Sequence, residues 1–375
     1  MDLATSIRLI YTIASILVLT VYLLPSLRSR FLAYGPRTAS PFSSSSSSSR
    51  TTSAEREKAA ARANQNPSPV TSLLDRLAEW KVPHSWFTYF YAVSIAWSLF
   101  WAVQFACKGW VFRVLVDWQL HDHADQDEGQ SRMVYSMTLR QVLLAWGMVF
   151  VQGCRRFWEC LALPQSPSKS QMWIGHWVLG IGFYTGFSVA VWVEGAPILA
   201  SHTFSPADIA VPPPSLRTFL SLLLFILASG FQHDCHAYLC SLKSPSSTTT
   251  TTTATTSTND DNNASSPGKP KDSYQLPTHP AFTHLIVPHY TAECLLYLSL
   301  AFLAAPAPRS PQGAPGAGGT GRIFNYTLLS ACIFVVVNLG VTAQGTREWY
   351  LVRFGGSQEG RERVLRRWRL VPGVW

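Results

Sequence analysis

The feature that most constrains this chain is a series of seven apolar stretches, at about residues 9–24, 87–105, 134–151, 172–193, 216–231, 285–305 and 323–341. Each reaches or approaches the roughly 17 to 25 residues an α-helix needs to cross the hydrocarbon core of a bilayer. Lipid offers no water to bond the backbone, so stretches of this kind cross as helices. Only 14% of the 375 residues are charged, against about 25% in an ordinary soluble domain. The expectation is an all-α integral membrane protein of about seven transmembrane helices, which argues against a plain cytosolic enzyme.

The first stretch reads as a retained signal anchor. Arg8 is a thin basic start, no clear small-residue cleavage site follows, and Pro25 leads into Arg28 and Arg30. Between the spans lie a serine run at 43–49, a Ser/Thr tract at 246–258 and a Pro/Gly/Ala stretch at 306–321. None of these can bury enough apolar area to offset chain entropy, so all three read as disordered insertions. The chain divides into an anchor (1–27), a Ser-rich cytosolic linker (28–81), helices two to five (82–243), a Ser/Thr-rich insertion (244–272) and a C-terminal transmembrane region (273–375).

The net charge of +9 invites nucleic acid, anionic lipid or a phosphorylated cofactor as partner. Distribution decides between them. Residues 28–81, 154–170, 243–283 and 343–375 hold 22 of the 30 Lys and Arg, all on one side of a seven-span topology. By the positive-inside rule that side, with the C-terminus, is cytosolic. Topology thus accounts for the charge, and no RNA-binding or zinc-finger signature speaks for nucleic acid. The C-terminal arginines beside Trp368 and Trp375 suit an anionic membrane surface.

The seven cysteines form no CxxC pair and lie mostly in apolar runs, so neither a disulfide framework nor a zinc ribbon is expected. Gly316, Gly318 and Gly321 satisfy GxGxxG, but they sit in a linker without the strand that a dinucleotide-binding turn requires. His121, Asp122, His123, Asp125, Asp127 and Glu128 read as a solvated loop. His233 and His236, lacking a companion ligand pair, read as capping or hydrogen-bonding groups. No metal site is expected. Asn325 opens an Asn-Tyr-Thr glycosylation sequon on the expected luminal side.

More informative is a set of polar residues at span boundaries on the expected cytosolic side. It comprises Gln152, Arg155, Arg156 and Glu159 after the third span, and Gln232, His233 and His236 after the fifth. Tyr274, His284, His289, Tyr290 and Glu293 lie at the entry to the sixth, and Asn338, Arg347, Glu348, Trp349 and Tyr350 leave the seventh. Ionisable groups at such positions are costly and are functional candidates by default. Bland readings exist as well: topology-setting charges and an interfacial aromatic belt.

The strings QGCRRFWECL (152–161), QHDCHAYLCSLK (232–243), VPHYTAECLLY (287–297) and NLGVTAQGTREWYLVRF (338–354), with VPHSWFTYFYAVSIAW (82–97), resemble the steroid 5α-reductase family, specifically its polyprenol (polyprenal) reductase branch. The resemblance covers 82–97 and 134–354 apart from the insertions. It implies a multi-pass endoplasmic reticulum enzyme that uses NADPH to saturate the α-isoprene double bond on the route from polyprenol to dolichol, which supports protein N-glycosylation. In that family the cofactor lies within the helix bundle near the cytosolic face, so no glycine fingerprint is needed.

Carried over residue by residue, the resemblance implies cofactor-binding roles for Arg155, His236, Glu293, Tyr350 and, by a looser local match, Arg361. Gln152 stands where steroid-reducing relatives have a substrate-facing tyrosine. Those relatives also use a second-span glutamate to polarise the substrate carbonyl, whereas residues 86–92 here contain no acid and offer Tyr89 and Tyr91. This departure favours a long-chain isoprenoid lipid over a 3-oxo-steroid. Hydride attacks electron-poor carbon, so the expected substrate is the α,β-unsaturated aldehyde, with His289, Tyr290 and Tyr91, in that order, as candidate catalytic donors to the developing oxyanion. The competing class is a multi-span transporter, against which the clustering of polar groups at one face counts.

Overall fold

The computed structural model of the protein describes residues 1–32, 69–124, 134–163, 171–205, 208, 213–242, 275–309 and 321–374. The glycine string apart from Gly321, the acidic positions 125–128 and the serine and Ser/Thr tracts lie outside the described residues.

Helix α1 (Leu3–Leu23) starts at Asp2, whose carboxylate accepts the Thr5 amide at 2.7 Å. It stops at Leu24 because the residue before a proline is pushed out of the helical region, and Pro25 then opens α2 (Pro25–Phe31). After α3 (Pro69–Glu79) and the short strand β1 (Lys81–Pro83), α4 (Thr88–Cys107) ends at Lys108, whose left-handed backbone (φ 47°) turns the chain into α5 (Trp110–Ala124). Strand β2 (Val134–Ser136) leads into α6 (Leu139–Ala162). A capping box opens that helix: Thr138 Oγ1 accepts the Gln141 amide at 3.1 Å and Gln141 returns its own acceptor to the Thr138 amide at 2.8 Å.

Strand β3 (Gln171–Trp173) runs straight into α7 (Ile174–Ala190), followed by the short α8 (Ala196–Ser201). Then come α9 (Leu216–Ser241), α10 (Pro288–Leu303), β4 (Ala307–Arg309), α11 (Tyr326–Phe354) and α12 (Gln358–Leu365). The expected linker 28–81 is therefore helical at both of its described ends. The polar stretch after the second span is helical as far as Ala124.

Among the described residues five helical segments are long and apolar enough to cross a membrane: Leu3–Leu23, His84–Cys107, Ile174–Ser201, Leu216–Ser241 and Tyr326–Phe354. The other two expected spans are helical but differ in kind. Helix α6 has 24 residues and carries Arg140, Arg155, Arg156 and Glu159, while α10 has 16, about 24 Å at 1.5 Å per residue.

Two antiparallel ribbons mark the ends of the bundle. β1 pairs with β3, so α4 and α7 both begin at one end. β2 pairs with β4, so α6 begins and α10 finishes at the other. At that second end Glu194 joins Arg8 of α1 at 2.7 Å to Thr327 of α11 at 2.6 Å, with Arg322 at 3.7 Å. Asn325 caps α11 there: its carbonyl oxygen accepts the Leu328 amide at 2.9 Å, and its amide nitrogen donates to Ala304 O at 3.2 Å. The sequon asparagine is 0% exposed, so the folded chain presents no acceptor amide and the residue serves as a helix cap.

The main core fills the space between α1, α4, α6, α7, α10 and α11, where Trp101 packs at a tilt on Trp192 and Phe183 stacks on Phe187. A smaller core of Ile286, Val287, Ala343, Tyr350, Val364 and Leu370 seats the C-terminal tail at the first end. The tail is held by Ile286 N–H to Trp368 O at 2.8 Å and Trp368 N–H to His284 O at 2.7 Å. All seven cysteines are free.

Candidate active site

Helices α4 and α10 begin, and α6, α9 and α11 finish, at the end where the C-terminal tail folds back. Five helix termini therefore bring the polar boundary residues together. They open on a cavity of about 790 Å³, within the roughly 300–1,000 Å³ of ligand sites. Its polar lining includes Tyr91, Arg156, Gln232, His236, His289, Tyr290 and Glu293; its apolar wall includes Leu179, Phe183, Val335 and Leu339.

The polar side is organised by one carboxylate. Glu159, with a side chain 1% exposed, forms ion pairs with both Arg155 and Arg156 on its own helix. From α9 it is met by His233 Nδ1 at 2.8 Å and His236 Nδ1 at 3.0 Å. Spacings of three and four residues place these groups on one face of each helix, and α6 and α9 finish side by side. A buried carboxylate is tolerable only when its acceptor sites are met, and two guanidinium groups and two imidazole nitrogens surround it here.

From this hub two branches reach the cavity. Arg156 Nε donates to Tyr91 Oη at 3.1 Å, and the guanidinium carbon lies 4.9 Å from the centroid of the same ring. That fixes the phenol and leaves its own O–H as the donor toward the cavity. On the other branch Arg155 and Gln152 both bond Gln232, whose amide donates to Glu293. Beside them the His236 and His289 rings lie 5.4 Å apart, and His289 and Tyr290 4.4 Å apart.

Of the sequence-derived candidates, His289, Tyr290, Tyr91, His236 and Glu293 line the cavity. Arg155 stands behind that lining, bonded to Glu159, Gln152 and Gln232. Tyr350 is buried in the smaller core and Arg361 is exposed on α12; the structure does not bring these two to the cavity lining. His233 and His236 act as hydrogen-bonding groups. Among the described residues no cluster of His, Cys, Asp and Glu could hold a metal.

Four lining residues fall outside the set derived from the sequence: Arg28, His84, His176 and Gly180. Arg28 looks like a topology-setting charge, yet it forms an ion pair with Glu348 across the cavity mouth and lies 4.9 Å over the Tyr22 ring. His84 precedes the second span as an ordinary boundary residue. His176 was detectable, as an ionisable group inside an apolar run. Gly180 lies where a Cβ would meet the Phe90 ring at 2.7 Å, a close approach no local pattern announces.

No protein-family profile matches the chain. Over 228 residues it is 26% identical to a polyprenal reductase of Xenopus tropicalis, covering 59% of this chain and 64% of the relative. Over 162 residues it is 26% identical to a polyprenal reductase of Xenopus laevis, covering 43% of each. The chain thus spans less than two thirds of the length of these relatives. The chain is similar, distantly and in part, to two proteins named as polyprenal reductases.

Proposed function

We propose that this chain is an NADPH-dependent polyprenal reductase that saturates the α-isoprene double bond, acting within a seven-helix bundle of the endoplasmic reticulum membrane with its C-terminus in the cytosol. The observation that carries this reading is the cavity itself: a polar floor at one end of the bundle under an apolar wall. A long isoprenoid with a polar head has the same division. The alternate direction of α1, α4, α6, α7, α9, α10 and α11 between the two ribbons supports seven crossings.

The donor set fits a pyridine dinucleotide. Guanidinium groups pair bidentately with phosphate oxygens, and Arg28 and Arg156 face the cavity. A guanidinium has five N–H donors, so a carboxylate partner leaves capacity for phosphate. Glu293, Glu348 and the imidazoles of His236 and His289 offer partners for ribose hydroxyls and a carboxamide. Bound NADPH would supply a hydride, which an electron-poor β-carbon accepts.

The chain's own groups do the rest. The apolar wall holds the isoprenoid and keeps water from the reacting carbons. A donor from His289, Tyr290 or Tyr91 stabilises negative charge on the aldehyde oxygen, a contribution of about 3 kcal/mol for a well-placed hydrogen bond. The α-carbon then takes a proton, so one hydride and one proton convert the C=C bond to CH–CH and leave the aldehyde intact. Membranes containing the protein, given polyprenal and NADPH deuterated at the transferred position, should yield lipid with one deuterium on the β-carbon of the α-isoprene unit. Reduction of polyprenol with no carbonyl intermediate would overturn the mechanism. Absence of any lipid reduction by folded protein would return the transporter reading.

A further inference from the structure

The polar residues of α3 occupy one side, Ser72, Asp75, Arg76 and Glu79. At about 100° per residue the opposite side carries Val70, Leu73 and Leu77, with Trp80 following directly. These apolar side chains are not buried: Val70 is 64% exposed, Leu73 57% and Trp80 62%. Helix α3 is nevertheless firmly placed. Asp75 accepts from Arg30 Nε of α2 at 2.5 Å, a bond that holds its carboxyl below the usual carboxylate range. The Trp173 indole donates to Leu77 O at 2.7 Å, and Ile174 N–H donates to Trp80 O at 2.9 Å, satisfying carbonyls that a helix end leaves open.

Where α3 sits is fixed by what it is tied to. The ribbon of β1 and β3 leads directly into two membrane-crossing segments, His84–Cys107 and Ile174–Ser201, while α2 follows directly on a third, Leu3–Leu23. All three meet the ribbon at the same end of the bundle, so α3 lies at the level where helices enter the bilayer. Trp86 and Tyr89, also exposed there, belong to the residue types that gather at membrane interfaces. An amphipathic helix at that depth buries its apolar side among headgroups and upper acyl chains.

We infer that α3 is an in-plane interfacial helix whose Val70, Leu73 and Leu77 side rests in the phospholipid headgroup and acyl boundary, clipping α2 to the membrane surface at the rim of the cavity. Tyr22 of α1, Arg28 of α2 and Leu32 just after it line the cavity, so the clip fixes one wall of its mouth. The inference does not depend on the proposed reaction.

The test places an environment-sensitive fluorescent amino acid at Leu73 or at Glu79 of the full chain, reconstituted in phosphatidylcholine and phosphatidylserine vesicles, with no activity assay required. Nitroxide on lipid acyl chains should quench the probe at 73 at least threefold more than the probe at 79, and aqueous iodide should show the reverse order. Iodide access at 73 equal to that at 79 would overturn the inference in favour of a solvated face. Protection of 73 from both quenchers would overturn it in favour of cover by protein, from this chain or a second copy. Should the variant at 73 fail to fold, a probe at Val70 gives the same contrast.

Discussion

His236 Nδ1 lies 3.0 Å from Glu159 Oε2 and 2.6 Å from Arg156 Nη1, so one nitrogen at the end of α9 faces a carboxylate and a guanidinium from the end of α6. It can donate to Glu159 or accept from Arg156, but not both at once. The proton position on His236 therefore decides whether its Nδ1 binds the carboxylate or the guanidinium. This makes Glu159 the group on which the polar side of the cavity depends, although its own side chain is sealed from the cavity.

Glu159→Gln should destabilise the protein and weaken the site together. It leaves two adjacent guanidinium groups without their counter-charge, and breaking a buried pair costs on the order of 3 kcal/mol. Thermal unfolding in detergent should fall by several degrees and turnover should drop, whereas Glu159→Asp should restore part of both. An unchanged unfolding midpoint would refute the hub role.

Tyr91→Phe keeps the ring under Arg156 and removes only the hydroxyl. If that O–H serves the aldehyde oxygen, kcat falls about a hundredfold with little change in the KM for NADPH. His289→Ala provides the comparison: full turnover at saturating NADPH in that variant would shift the donor role to Tyr91 or Tyr290.

Replacing Leu179 by Asn puts an amide on the apolar wall that is proposed to hold the isoprenoid. The KM for long-chain polyprenal should rise about tenfold, equivalent to ~1.4 kcal/mol, while short water-soluble enals are unaffected. Equal effects on both substrates would show that the wall does not read the tail.

Asn325 should carry no glycan in folded protein, and endoglycosidase treatment should leave its electrophoretic mobility unchanged. Asn325→Ala should instead lower stability by about 1 kcal/mol, the usual cost of losing a helix cap. A mobility shift on deglycosylation that vanishes in Asn325→Gln would contradict the buried cap.

The sequence by itself determined the helical class and the grouping of the polar residues. Apolar stretches of bilayer length leave the backbone no choice but helix, and alternate crossings put Gln152–Glu159, Gln232–His236 and His289–Glu293 at the same end. What it could not determine is which members of that group touch. Arg155 and Arg156 are neighbours with identical side chains, and only the rotation of α6 against α4 and α9 turns Arg156 toward the cavity and Arg155 behind it. Arg28 and Glu348 are 320 residues apart, and Glu194 meets Arg8 across 186; no local pattern encodes such pairs. The apolar side of α3 was equally hidden, because its period is legible but its exposure depends on what packs beside it. Local chemistry and the bilayer thus decided where helices form, and helix rotation and long-range contact decided which side chains meet, since those depend on every other helix at once.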